Sequence, residues 1–183
     1  MNNEIEIKGM GKIKFEKLID KNKNPKGMPK RNKIRIFETM PINLVSQYRY
    51  DVFIKYYYVQ AYITKSNFNF AKKVYLNHIK SFNNFVEPDG RKINPNDFIK
   101  NFNDLIDSVK KEGIDKTIIP ITPNGEIIDG AHRLSVALYL NLKIHFAIFD
   151  LLDANYGKDF FINRGFNQEY AKIIDKEIIK RLI

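Results

Sequence analysis

The chain of 183 residues contains no cysteine and no tryptophan. Without thiols it can form neither disulfides nor thiolate metal centres, and it has no cysteine nucleophile; the composition fits a reducing compartment. His145, in a strand, and His78, in a helix, read as structural residues rather than metal ligands. No apolar run approaches the length that spans a bilayer, so no membrane partner is expected. The opening residues MNNEIEIKGMGKIKF alternate charged and apolar side chains and lack the apolar centre of a signal peptide, so a cytoplasmic protein is expected. Negative charge is also scarce, with 21 acidic residues against 31 Lys and Arg, a formal charge of +10.

What is present is an ordinary globular composition, 44% apolar, in a length that suits one core. The positive charge concentrates in DKNKNPKGMPKRNKIR, Asp20 to Arg35, whose Pro25, Gly27 and Pro29 mark a loop or arm. Residues 1–33 therefore read as a basic arm and 34–183 as the folded domain. Charge of this kind predicts weak, salt-sensitive contact with nucleic acid and no sequence-specific nucleic-acid partner.

Along the domain, Lys33 to Val45 reads as a strand, a turn at Met40-Pro41 and a second apolar element. Arg49 to Ile63 and Asn69 to Phe82 carry helical apolar spacing, broken at Glu87 to Gly90. The next helix is the clearest. Asn94 stands as its N-cap, Pro95 at the first helical position and Asp97 three residues after the cap. Phe98, Ile99, Phe102, Leu105, Ile106 and Val109 form its stripe, and Gly113 closes it. TIIPI, the turn TPNG and EIID read as a short hairpin or strand pair, Ala131 to Leu140 as a helix, and Lys143 to Phe149 as a strand. A last helix begins after Asn167. Tyr56, Tyr57 and Tyr58 fit packing better than base stacking.

The chemistry concentrates in IIDGAHRLSVALYL, Ile127 to Leu140. A strand that ends at Asp129-Gly130 and restarts as a helix at Ala131 aims unpaired backbone N–H groups and the positive end of a helix dipole at one spot, which favours phosphate. Gly130 permits a positive φ or a close approach. Ala131, His132 and Arg133 would present the first helical N–H groups, Arg133 can add a bidentate contact, and His132 can donate to a phosphate oxygen or shuttle a proton. Asp129 beside such a site suits a Mg²⁺ ligand or a base, with a plain turn residue as the rival reading. Ser135 and Ala137 are small enough for close packing on that helix.

In order, these elements are a helix ending in Gly, a strand reaching a Pro, an Asn-Gly turn, a strand, Asp-Gly-x-His-Arg, a helix and a strand. From Phe98 to Asp150 the chain thereby resembles the ParB/sulfiredoxin superfamily, and PINLVSQYRYD, Pro41 to Asp51, resembles that family's opening element, which ends in an Arg. The resemblance implies an α+β fold, a small mixed sheet with flanking helices, here with a helical insertion from about Val52 to Ile93. It implies a nucleotide site formed by Gly130, Ala131, His132, Arg133, Ser135 and Arg49, with ATP or ADP (or CTP) and Mg²⁺ as cofactors and Asp129 on the metal. Sulfiredoxin-like reduction needs a Cys where Ala131 stands and is excluded. A ParB-like nucleotide-binding protein or NTPase acting with DNA needs a reading module after the motif, where one clear helix follows. The nearest motif match is the free-serine-kinase-like members, which implies a phosphotransferase with Asp129, His132 and, as an acidic base outside the motif, Glu38 in catalytic roles. Its acceptor would be a hydroxyl-bearing metabolite such as an amino acid, sugar or polyol. Similar proteins with such an insertion occur in surface-polysaccharide gene clusters, which implies that setting here. A nucleotide-binding module without turnover is the competing expectation.

Overall fold

The computed structural model describes residues 4–7, 11–14, 35–87, 90–114, 118–179 and 182. Most of the basic stretch Asp20 to Arg35, and part of the break at Glu87 to Gly90, lie outside them. Strands β1 (Glu4–Ile7) and β2 (Gly11–Lys14) pair antiparallel as a separate two-stranded ribbon. The main sheet joins β3 (Ile36–Thr39), β4 (Ile118–Ile121) and β5 (Ile144–Ile148) in the order β3-β5-β4. β5 runs antiparallel to β3 and parallel to β4. The expected α+β class, a small mixed sheet with flanking helices, is what the chain forms.

Helices α1 (Tyr50–Thr64) and α2 (Phe68–Asn83) fall where the apolar spacing put them, after a 3₁₀ turn at Pro41–Leu44. α1 is apolar nearly all round and is buried accordingly. Val52, Tyr58 and Val59 join one core with α3, β4 and α4, whereas Tyr50, Phe53 and Ile54 join a second with α5 and α6. α3 (Pro95–Glu112) has the expected capping box. The Asn94 side chain accepts from the N–H groups of Asn96 and Asp97, while Asp97 accepts from the Asn94 N–H, a device whose loss costs roughly 0.5–2 kcal/mol.

The expected short hairpin forms, with EIID reduced to a single bridge. One antiparallel bridge joins Ile121 to Ile127, with the Thr122 N–H donating to Glu126 O and the Ile128 N–H to Pro120 O, both at 2.8 Å. The Ile127 carbonyl is taken by a side chain, the Nη1 of Arg49, and the next residues turn directly into α4 (Ala131–Leu140). The segment after β5 holds a short helix that periodicity did not separate, α5 (Lys158–Ile162). It is followed by α6 (Gln168–Ile174), which widens into a π turn at Asp175–Ile179. Asn167 caps α6 through its side-chain oxygen. No helix among the described residues is long and apolar enough to cross a membrane.

Candidate functional site

The segment that returns along β4 delivers the chain to Asp129-Gly130, and α4 leaves from it. Gly130 is the N-cap, with φ 90°, a backbone that side chains rarely adopt. A Cβ there would also lie 3.1 Å from Ile119 Cδ1 and 3.2 Å from an Nη of Arg133, so glycine is needed for space as well as for backbone. No side chain caps α4. Asp129 instead turns its Oδ1 onto the Gly130 N–H at 2.7 Å, just ahead of the helix.

The Arg133 side chain folds back over Gly130 rather than out to solvent. Its guanidinium is half-buried and has no hydrogen-bond partner among the described residues, although the Asp129 charge acts on it. Burial lowers its pKa and Asp129 opposes that shift. A cation held at a helix N-terminus with its donors unmet is equipped to meet an anion.

Arg49 is also brought to the turn, but its donors are committed. Nε and one Nη hold the two Asp51 carboxylate oxygens at 2.9 and 3.0 Å, the other Nη bonds Ile127 O, and the guanidinium lies 5.2 Å over the Tyr156 ring. Lys55, one helical turn beyond Asp51, adds its ammonium to the same carboxylate at 2.7 Å. The three residues are 4%, 4% and 5% exposed. Burial would raise the Asp51 pKa, yet the charges of Arg49 and Lys55 prevail and hold it well below the ordinary value. Burial likewise opposes the Arg49 charge, and Asp51, with smaller help from Tyr156 and Asp129, raises its pKa regardless. Arg49, expected as a phosphate contact, is thus engaged in fixing the backbone behind Asp129, its fork already held by Asp51 and Ile127 O.

His132 occupies the second position of α4, but its ring leaves the turn. Nε2 shares a 2.9 Å hydrogen bond with the Tyr75 hydroxyl, and the ring stands edge-on to Phe102 at 4.6 Å. Tyr58 stacks on Phe102 at 4.9 Å and completes this aromatic pile. Burial, then the charges of Lys55 and Lys92, push the His132 pKa well down, so the imidazole is neutral and ill placed as a proton shuttle at the turn. Ser135 is fully buried, and its hydroxyl faces the carbonyls of Ala131 at 2.7 Å and Val52 at 3.0 Å. It joins α4 to α1, so the side chain expected at the nucleotide site is turned into the fold. Glu38 is not brought to the turn either. It sits on β3, with β5 between it and β4, and pairs on the surface with Lys143 at 2.9 Å.

Lys55, Tyr75 and Phe102 were missed from sequence. The spacing of Asp51 and Lys55 was the available signal for the first, whereas the others read as ordinary core. Among the described residues, no group of three or more His, Asp or Glu side chains is arranged to hold a metal by itself. Two surface clefts, of about 660 and 810 Å³, are lined by other residues and include none of Asp129 to Arg133.

His78 is 1% exposed, and neither ring nitrogen has a hydrogen-bond partner among the described residues. Burial and the charges of Lys55 and Arg49 depress its pKa well below 6.5, against the pull of Asp51. With His132 this makes two bases that the unfolded chain protonates before the folded one. Their contribution is complete above about pH 6.5 and is lost as pH falls below it, at up to about 1.4 kcal/mol per pH unit for each ring. Chemical denaturation at pH 7 and pH 5 is expected to show a clear loss at pH 5, with about half the slope in His78→Phe. A flat profile would mean that the rings are hydrated in the fold.

Compared with known proteins, the chain matches no family model, no curated protein and no solved structure.

Proposed function

We propose that the chain is a nucleotide-dependent phosphotransferase of the ParB/sulfiredoxin-like type, with its phosphate site at the Gly130 turn and a hydroxyl-bearing small molecule as acceptor. The observation that carries this reading is the Arg133 guanidinium, folded over the uncapped start of α4 with no hydrogen-bond partner among the described residues. The N–H groups of Ala131, His132 and Arg133 and that guanidinium suit the phosphates of ATP, ADP or CTP. Mg²⁺ would arrive with the phosphates and neutralise charge on them, with Asp129 as the protein carboxylate at the turn.

The chain's own residues divide the remaining work. Arg133 binds and orients the phosphates. Asp129 orients the acceptor hydroxyl and takes its proton, since Glu38 lies two strands away. Arg49, locked to Asp51, holds the Ile127 carbonyl and so sets where Asp129 stands. Neutral His132 braces the first turn of α4 against Tyr75. A second reading, nucleotide binding without turnover, is favoured by one contact: Asp129 already accepts from the Gly130 N–H, as a plain turn residue would.

Melting curves with ATP, ADP and CTP, each with Mg²⁺, test the site, because a ligand that binds only the folded chain raises the melting temperature. At least one is expected to do so. Arg133→Ala should weaken its binding by about 1.5–3 kcal/mol, the range for a lost charged hydrogen-bonding partner. Equal binding by the variant would remove the turn from the reading.

A further inference from the structure

The larger cleft, about 810 Å³, opens between the segment leading into α1 and the segment leading into α5, and the π turn at Asp175–Ile179 closes one wall. Its volume suits a small organic ligand. We infer that this cleft is a second binding site, for a neutral polyhydroxylated ligand such as a sugar.

Tyr48 is the first reason. The residue is 48% exposed and its ring packs on no other ring among the described residues, yet the backbone on which it stands is tied from both directions. The Tyr48 N–H donates to Ser46 Oγ at 3.0 Å, and the Tyr48 carbonyl accepts from the Tyr156 N–H at 2.8 Å. The neighbouring Tyr50 N–H donates to Tyr156 O at 3.0 Å. An aromatic face held out on a fixed backbone offers a flat apolar platform at low ordering cost, which the C–H face of a pyranose ring matches.

The polar lining is the second. Asp175 receives the Tyr50 hydroxyl at 2.9 Å on one oxygen and the Lys158 ammonium at 2.5 Å on the other, so this carboxylate is oriented and its charge balanced. What remains unmet by side chains, among the described residues, is the Gln47 amide, the Asn155 Nδ2 and the Asp159 carboxylate. These groups supply donors and acceptors together, as hydroxyls require, because each hydroxyl both donates and accepts. With Lys158 neutralised, Asp159 leaves the cleft with net negative charge, which disfavours a phosphate and separates this site chemically from the Gly130 turn. Gly157 completes the shape. A Cβ there would lie 3.1 Å from Asn155 Oδ1 and push the amide away.

The inference stands whether or not the turn binds nucleotide. Saturation-transfer NMR and calorimetry with the full chain test it, using glucose, galactose, N-acetylglucosamine and mannitol as free ligands and maltotriose and chitotriose as chain fragments. Glucose 6-phosphate and inorganic phosphate serve as anionic counter-probes. At least one neutral probe is expected to bind, with the trisaccharides favoured if the natural ligand is a glycan chain. Tyr48→Ala should weaken that probe by about tenfold, as loss of a stacking face does, while Tyr48→Phe retains it and Asp159→Asn weakens it. Because Tyr48 is exposed, circular dichroism and melting of both variants should match the parent. Absence of saturation transfer from every neutral probe, binding unchanged in Tyr48→Ala, or binding confined to the anions would each overturn the inference.

Discussion

Replacing Asp51 with Ala is expected to cost about 3–5 kcal/mol of folding stability, a large share of the roughly 5–15 kcal/mol that holds a domain together. The reason is the charge left behind. Arg49 and Lys55 are almost wholly buried and share the Asp51 carboxylate, so the variant strands two interior cations beside each other. Arg49 would also lose the partner that aims it at Ile127 O, and the turn at Gly130 should loosen with it. Lys55→Met is expected to be milder, because Asp51 keeps both bonds from Arg49. Replacing Arg49, Asp51 and Lys55 together with Met, Leu and Met should recover much of the loss, since apolar side chains of similar volume leave no charge uncompensated. Urea denaturation of the three variants gives the ranking. An Asp51→Ala loss below about 1 kcal/mol would mean that water reaches the cluster and that it does not brace the turn.

The second large effect is on catalysis. Asp129→Asn keeps side-chain size and an oxygen for the Gly130 N–H, so the turn should persist and melting should stay near that of the parent. It removes the negative charge that the proposed phosphoryl transfer uses to position the acceptor hydroxyl and accept its proton. Turnover is expected to fall by at least about a hundredfold, the lower end for a positioned proton-transfer group, with nucleotide binding retained. Phosphorus NMR with nucleotide, Mg²⁺ and a mixed pool of amino acids, sugars and polyols follows product directly. Parent protein that forms no phosphorylated product would leave the binding-module reading. Normal turnover in Asp129→Asn would leave Asp129 as a turn residue.

Local signals were legible where the chain decides structure within one or two turns. Asn94, Pro95, Asp97 and Gly113 bound α3 through capping chemistry, and Asp129-Gly130 marked the start of α4 because a left-handed residue there demands glycine. Strand order is not local. Glu38 drew notice as an acid near the chain's opening element, but β5 inserts between β3 and β4 and carries it away from the turn. Nor does a motif fix where side chains point. The position of His132 predicts its N–H at the helix start, whereas its ring follows the face of α4 that packs on Tyr75 and Phe102. The shortening of EIID was equally hidden, because the competitor for the Ile127 carbonyl is a side chain 78 residues earlier in sequence. The Asp51–Lys55 pair was the exception that spacing could have revealed, and the small volume of Ser135 was legible without saying that its hydroxyl turns inward to backbone carbonyls.

Whether phosphate sits on the start of α4 can be read most directly from nitrogen–proton correlation NMR of the labelled chain, titrated with ADP and Mg²⁺ and then with ATP and CTP. The prediction is that the backbone amides of Gly130, Ala131, His132 and Arg133, together with the Arg133 Nε–H, shift saturably and together, and that Arg133→Ala weakens the response without moving it elsewhere. Saturable shifts that cluster away from these residues, or no saturable shift with any of the three nucleotides, would contradict the assignment of the Gly130 turn as a nucleotide-phosphate site.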